Sequence, residues 1–311
     1  MGRAGRAGGV SVSVAVGVFD GLHLGHRALI TRAKERAGDG GRCIAISFDP
    51  HPDLVLAKDF RALPPLTPLP EKQERLAREG VELQVLPFTR ELAALEPETF
   101  VARHLVAPFA LEWLVVGEDF ALGRGRSGNL PRLRAIGEAG GFAVDAVPLC
   151  VIDGGVVSTT RIRALLETGR VREAARLLGR RYGLTGHVVH GDALGRELGF
   201  PTANLRLHDE KCVPGFGIYA VWARIGGEPE WRPGAMSIGV RPTLGGQLRT
   251  LEVHLIDFAG ELYGRELEVA FEDWLRPELR FESREALVEA IRSDVEAARA
   301  LLSSAVTVPG E

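Results

Sequence analysis

Residues 10–26 read Val10-Ser11-Val12-Ser13-Val14-Ala15-Val16-Gly17-Val18-Phe19-Asp20-Gly21-Leu22-His23-Leu24-Gly25-His26. Valine at every second position as far as Val18 predicts a strand. The stretch 26–37 then places Leu29, Ile30 and Ala33 on one face and predicts a helix. A strand that passes through a glycine-rich polar turn into a helix is the opening of a βαβ unit. The rhythm continues, with strands expected at 43–48, 83–88, 113–117 and 142–147 and helices near 71–79 and 97–106. This alternation predicts an α/β module, a doubly wound parallel sheet with helices on both faces.

Near residue 184 the character changes. Short strands are expected at 186–190, 217–225, 235–240, 250–258 and 266–273, with Gly and Pro clusters between them. That pattern predicts a small antiparallel β-barrel. A closing helix is expected at 284–303, with Leu287, Ile291, Val295, Ala298 and Leu302 along one face. The boundary falls at Tyr182, with residues 171–179 as a connecting helix, which gives modules 10–182 and 183–304. Residues 1–9 read as a frayed tail.

Composition removes several classes. A chain of 311 residues suits two domains, and 45% hydrophobic with 25% charged residues is a globular balance, not a disordered one. A net charge of −3 is too near neutral for a nucleic-acid binder. None of the four lysines (Lys34, Lys58, Lys72, Lys211) follows a glycine, which excludes a GxxxxGK phosphate loop. Cys43, Cys150 and Cys212 are odd in number and far apart, so structural zinc and a disulfide framework are not expected, and a reducing cytoplasm fits. No apolar run approaches the roughly 18 residues of a spanning helix.

The chemistry concentrates in a few places. Gly17, Phe19, Asp20, His23, Gly25 and His26 share the turn where the first strand feeds the first helix. A helix start offers free N–H groups and a positive dipole end, which suits phosphate. Two imidazoles beside it can stabilise charge developing on a transferring group. A zinc site on His23-x-x-His26 is the alternative, although no third ligand is evident nearby. Phe48-Asp49-Pro50-His51-Pro52 is a proline-stiffened loop that either walls a pocket for a flat ring or simply leaves a strand. Ser158-Thr159-Thr160-Arg161-Ile162-Arg163 opens a helix with hydroxyls and a guanidinium suited to phosphate oxygens, and is equally readable as a capped surface helix. Gly123-Arg124-Gly125-Arg126-Ser127-Gly128, with Asp145 further on, matches the dinucleotide fingerprint in letters, yet Glu118 to Leu122 separate it from its strand. In the second half, Gly195, Gly199 and Pro201 lead to Thr202 and Asn204, hard oxygen donors of the kind Mg²⁺ prefers, in a stretch equally readable as a glycine-rich barrel loop. Period two puts Glu252 and His254 on one face with Ile256 and Phe258, so Glu252 is either a general base in a cleft or half of an ion pair at the barrel rim.

Taken together, these motifs resemble the bifunctional prokaryotic FAD synthetase family, riboflavin kinase/FMN adenylyltransferase, over nearly the whole chain. GVFDGLHLGH (17–26), FDPHP (48–52), VGEDFALGRGRSG (116–128) and STTRIR (158–163) resemble the adenylyltransferase module. LLGRRYGLTGHVVHGDALGRELGFPTANL (177–205) and LEVHLIDF (251–258) resemble the kinase module. The resemblance implies that the C-terminal module phosphorylates riboflavin with ATP, Glu252 acting as base and Thr202 and Asn204 holding Mg²⁺-ATP at a site that includes Gly195, Gly199 and Pro201. It implies that the N-terminal module adenylylates FMN and releases pyrophosphate. There His23, His26 and Arg161 would be catalytic, with Gly17, Phe19, Asp20, Gly25, Thr159 and Thr160 on the nucleotide and Phe48, Pro50, His51 and Pro52 on the flavin. The partners implied are riboflavin, FMN, FAD and ATP, with neither nucleic acid nor membrane, for a cytoplasmic monomer or weak homo-oligomer. Two alternatives stay open: only one activity is retained, or the chain is a non-catalytic flavin- or nucleotide-binding regulator. The family usually has Arg-Phe in place of Ala121-Leu122, often Asp at Asn129, Ser at Thr159 and Pro at Arg181.

Overall fold

The computed structural model describes residues 10–56, 64–191, 194–243 and 246–305. The tail expected at 1–9 lies outside them. Two compact units emerge, the first ending at Ser158 and the second starting at Thr159, with Pro64–Leu66 belonging to the second.

The first unit opens with β1 (Val12–Val16), α1 (Leu24–Ala37), β2 (Arg42–Asp49), α2 (Pro52–Leu56), α3 (Leu69–Arg78) and β3 (Glu82–Pro87). The chain then passes α4 (Arg90–Ala93), α5 (Pro97–Val101), a π turn over Ala102–Val106 and α6 (Ala107–Phe109) to β4 (Trp113–Gly117), α7 (Leu130–Gly140) and β5 (Ala143–Val147). A hairpin of β6 (Val151–Ile152) and β7 (Gly155–Val156) ends the unit. The five long strands form one parallel sheet in the order β3-β2-β1-β4-β5. Every residue of β1 is buried, so its alternation is one of size and not of exposure. Val12, Val14 and Val16 pack against Phe100, Leu105 and Leu133. On the other face Ala15 meets Ile30 and Ala33, its small side chain letting α1 lie close to the sheet. The strand order reverses between β1 and β4, and open α/β sheets bind ligands beyond the carboxyl ends of the strands at such a point.

The expected helix at 97–106 is α-helical only to Val101 before it widens into the π turn. The sequence pattern does not give the short helices α2, α4 and α6, nor α7 and the β6–β7 hairpin. The helix α7 carries Gly137 and Gly140, which dilute its periodicity. The β6–β7 hairpin turns on Asp153-Gly154, both at positive φ, an Asp-Gly signal that short flanking strands disguise.

The second unit begins with α8 (Thr159–Glu167) and α9 (Val171–Leu178). Next come β8 (Gly183–Val189), α10 (Leu194–Glu197), β9 (Ala203–Leu207), β10 (Gly217–Ile225), β11 (Trp231–Thr243), β12 (Gly246–Leu255) and β13 (Glu266–Arg276). These six strands close a barrel in the order β10-β11-β12-β9-β8-β13, and α11 (Arg284–Ser303) follows. The sequence pattern lacked β9, which is short and follows directly on the glycine-rich loop. Ser283 caps α11, its hydroxyl accepting from the Ala286 amide at 3.1 Å. Ala298 and Leu302 of α11 pack on Ala220, Trp222, Ala235, Ile256 and Ala270. Three alanines on the barrel's outer face make room for that helix.

Candidate functional site

In the first unit the sharp turn after β1 is built around buried side chains. Phe19 and Leu22 both take positive φ, 54° and 43°, and both are buried. Such values in bulky residues mark a turn held by its surroundings. Asp20 Oδ1 accepts from the Thr67 amide at 3.0 Å. His23 caps α1, with Nδ1 accepting from the His26 amide at 3.3 Å. Its ring proton therefore sits on Nε2. The two imidazoles stack 3.6 Å apart at 16°. Gly25 lets this happen, since a Cβ there would stand 3.2 Å from the His23 ring. Gly17, Phe19, Asp20, His23, Gly25 and His26 thus share this one turn, with Phe19, Asp20 and His23 buried in it.

His26 Nδ1 is buried with no hydrogen-bond partner. Burial, then the neighbouring His23 and Lys72, hold its pKa well below the ordinary histidine value. His26 is therefore neutral at neutral pH. Because the unfolded chain binds this proton more readily, stability is lost as pH falls below the ordinary value of about 6.5 towards the folded pKa. Denaturation series at neutral and mildly acidic pH should show that slope in the wild type and a flatter one in His26→Asn; equal slopes would contradict the assignment.

Sequence reasoning missed Lys72, a solitary lysine in an amphipathic helix. It is only 7% exposed. Its ammonium donates to the Val18 carbonyl at 2.8 Å and the Ser47 hydroxyl at 3.2 Å, tying α3 to the ends of β1 and β2. Burial pushes its pKa down, and Asp20 and Asp49 oppose that.

Other motifs fall out differently. Phe48 packs edge-on against Phe88, with ring centroids 5.4 Å apart. The Asp49–Pro50 peptide is cis, and His51 Nδ1 accepts from the Asp53 amide at 3.2 Å as α2 begins at Pro52. Thr159, Thr160 and Arg161 open α8 in the second unit. The segment 123–128 is no dinucleotide loop. Cβ atoms at Gly123 and Gly128 would collide with Pro97, so those glycines serve packing, and α7 starts only at Leu130 after its Asn129 cap. Asp145 lies within β5, paired with Arg36 at 2.6 Å. Leu122 is buried in the main core. Among the described residues no group of three His, Cys, Asp or Glu is placed to hold a metal.

In the second unit Glu252 and His254 alternate along β12 with the buried Leu251, Val253 and Leu255 and open onto a cavity of about 480 Å³. Phe258 departs from the expected shared face. It lies beyond β12, past the left-handed Asp257, and lines a second cavity of about 260 Å³. Thr202 lines both cavities, and its hydroxyl donates to Glu252 Oε2 at 3.2 Å. Asn204 pairs with Glu252 across β9 and β12. The His254 Nδ1–H donates to the Pro201 carbonyl at 2.9 Å. Gly195 has no room for a Cβ, which would stand 2.4 Å from the Phe200 carbonyl, and Gly199 takes φ +86°. These glycines fold the loop onto Thr202. The donor set of hydroxyl, amide oxygen and carboxylate suits Mg²⁺, which keeps several waters and binds through substrate phosphates rather than in an all-protein cage. Arg181, outside the usual pattern, pairs with Glu272 at 2.6 Å.

A switch-point turn with paired imidazoles, followed in the chain by a barrel whose Thr202 borders two cavities and bonds Glu252, is the layout of a two-module phosphate-transfer enzyme. The chain belongs to the bifunctional riboflavin kinase/FMN adenylyltransferase family. Residues 9–161 match the FAD synthetase family model and residues 178–302 match riboflavin kinase. The bifunctional riboflavin kinase/FMN adenylyltransferase of Listeria monocytogenes is 38% identical, over 93% of this chain and 92% of that one. That of Pseudomonas fluorescens is 42% identical, over 92% and 91%. A crystal structure described as a macrolide-efflux protein from Streptococcus pneumoniae superposes with a TM-score of 0.86 at 32% identity, covering 94% of this chain and 95% of that one. Among the described residues no helix here is long and apolar enough to cross a membrane.

Proposed function

We propose that the two activities divide between residues 183–304, the riboflavin kinase, and residues 10–182, the FMN adenylyltransferase, and run through the residues identified above. The kinase assignment rests on one observation: Thr202 lies on the wall of both cavities with its hydroxyl on Glu252. The larger cavity, lined by Leu198, Ile218, Met236, Phe281 and Ile291 among others, takes the flavin ring. The smaller takes ATP. The riboflavin 5′-oxygen attacks the γ-phosphorus, the bond to the β-phosphate oxygen breaks, and Glu252 accepts the hydroxyl proton. Thr202 and Asn204 would hold Mg²⁺, whose chemistry is to neutralise phosphate charge.

In the adenylyltransferase an FMN phosphate oxygen attacks the α-phosphorus of ATP and pyrophosphate leaves. No proton need move, so His23 and His26 act as N–H donors to the transferring phosphate. Thr159, Thr160 and Arg161 hold the departing phosphates, Gly17, Phe19, Asp20 and Gly25 form the nucleotide cradle, and Phe48, Pro50, His51 and Pro52 border the flavin. Three free cysteines support a cytoplasmic enzyme acting on small molecules, as a monomer or weak homo-oligomer.

One incubation tests both halves: protein, riboflavin, ATP and Mg²⁺, with the three flavins separated over time. FMN should rise and then give way to FAD. FMN that persists would remove the adenylyltransferase reading, and unchanged riboflavin the kinase reading.

A further inference from the structure

The outer wall of the barrel beneath the larger cavity carries one cross-strand row. Glu252 of β12 pairs with Ser237 of β11, Ser237 with Ile218 of β10, and Ile218 with Arg276 of β13. All four line the cavity. Three strand spacings of about 4.8 Å put the two ends about 14 Å apart along the sheet. One end is polar around Glu252, Thr202 and Asn204. At the other, Arg276 and Asp294 form a bidentate pair, Nε to Oδ1 and Nη2 to Oδ2, each at 2.7 Å. The Asp294 side chain is only 10% exposed and that of Arg276 is 21% exposed. Between the ends and above them the lining is largely apolar, including Ile218, Leu279, Phe281, Leu287, Ile291 and Val295.

We propose that the Arg276–Asp294 pair is the specificity element that reads the imide edge of the flavin ring. This rests on the kinase reading above. If Glu252 faces the 5′-hydroxyl, the polyol chain starts at that end and the ring lies further along the row. A flavin ring has one apolar dimethylbenzene edge and one polar edge with alternating C=O, N–H and C=O. The pair supplies the matching pattern. Arg276 spends Nε–H and one Nη2–H on Asp294 and one Nη1–H on the Pro277 carbonyl at 2.9 Å, which leaves two N–H donors. Each Asp294 oxygen keeps a lone pair. An adjacent donor and acceptor thus meet a ring C=O and the ring N3–H. The pair also spans β13 and α11, so occupancy of this end is tied to the seating of the helix.

Binding of riboflavin and N3-methylriboflavin to the full chain, followed by flavin fluorescence, is the test. The methyl group removes the N3 proton. A lost hydrogen bond to a charged group corresponds to roughly 10- to 100-fold, and the wild type should prefer riboflavin by that factor. Arg276→Met/Asp294→Leu, which replaces the pair by apolar side chains, should bring the two affinities together. If that variant does not fold, Asp294→Asn keeps the volume and should narrow the ratio, because a neutral amide accepts more weakly than a carboxylate. Equal wild-type affinities, or a ratio untouched by the variants, overturn the assignment. The kinase reading is tested separately by Glu252: a large effect there with no N3 discrimination sinks this inference alone.

Discussion

Glu252→Gln should lower FMN formation from riboflavin by about 10²- to 10⁴-fold, the usual contribution of a positioned general base, while the same protein still converts supplied FMN to FAD. Glutamine is the informative substitution. It keeps the side-chain length and an oxygen that can accept from the Thr202 hydroxyl, the bond seen at 3.2 Å, and removes only the ability to take a proton. The backbone is not at risk, since Glu252 sits in a ten-residue strand paired on both sides, with Ser237 and with Asn204. The loss should therefore appear in kcat with little change in the midpoint of unfolding. A quenched assay of riboflavin phosphorylation at saturating ATP and Mg²⁺ reads it. FMN formation at the wild-type rate would return Glu252 to the status of a rim carboxylate and leave Thr202 and Asn204 as ligands without a base.

Why the sequence was legible in some places and opaque in others has a physical basis. The pattern places β4 at Trp113–Gly117, β10 at Gly217–Ile225 and α11 at Arg284–Ser303, because each is long or apolar enough for its period to dominate. The shared face of Glu252 and His254 on β12 was legible because alternation along one strand decides which side chains lie together. The larger cavity was not. It exists because Leu198 and Phe200 of one loop, Arg276 at the end of the last barrel strand, Phe281 after it, and Leu287 to Val295 of α11 meet on the barrel wall. No local period encodes that meeting. The same limit hid Asp294, which looks like a surface acid in an amphipathic helix until Arg276 of β13 is seen against it. It also hid Lys72, whose partners Val18 and Ser47 come from two other strand ends. The letters of residues 123–128 misled in the opposite sense. Gly123 and Gly128 answer to Pro97, a neighbour that a fingerprint does not consider.

Removal of the histidines should separate the two activities the other way. His26→Asn should reduce FAD formation from FMN by about 10²- to 10³-fold, the cost of losing one preorganised donor to a charged transition state, with FMN formation from riboflavin intact. The structure argues that the two imidazoles differ in kind. His23 caps α1, Nδ1 accepting from its first turn, and its Nε2–H is the donor proposed for phosphate. His23→Ala should thus lose catalysis and also about 0.5–2 kcal/mol of stability from the missing cap. His23→Asn, a good capping residue, should recover the stability without the activity. His26 caps nothing. Its neutral, desolvated ring lies against His23 and against Phe19 at 5.3 Å, so its loss should weigh on kcat far more than on stability. Single-turnover adenylylation at saturating FMN, set beside thermal unfolding for all three variants, resolves these cases. If His26→Asn forms FAD normally, charge on the transferring phosphate is met elsewhere, and α8 with Thr159, Thr160 and Arg161 becomes the place to look.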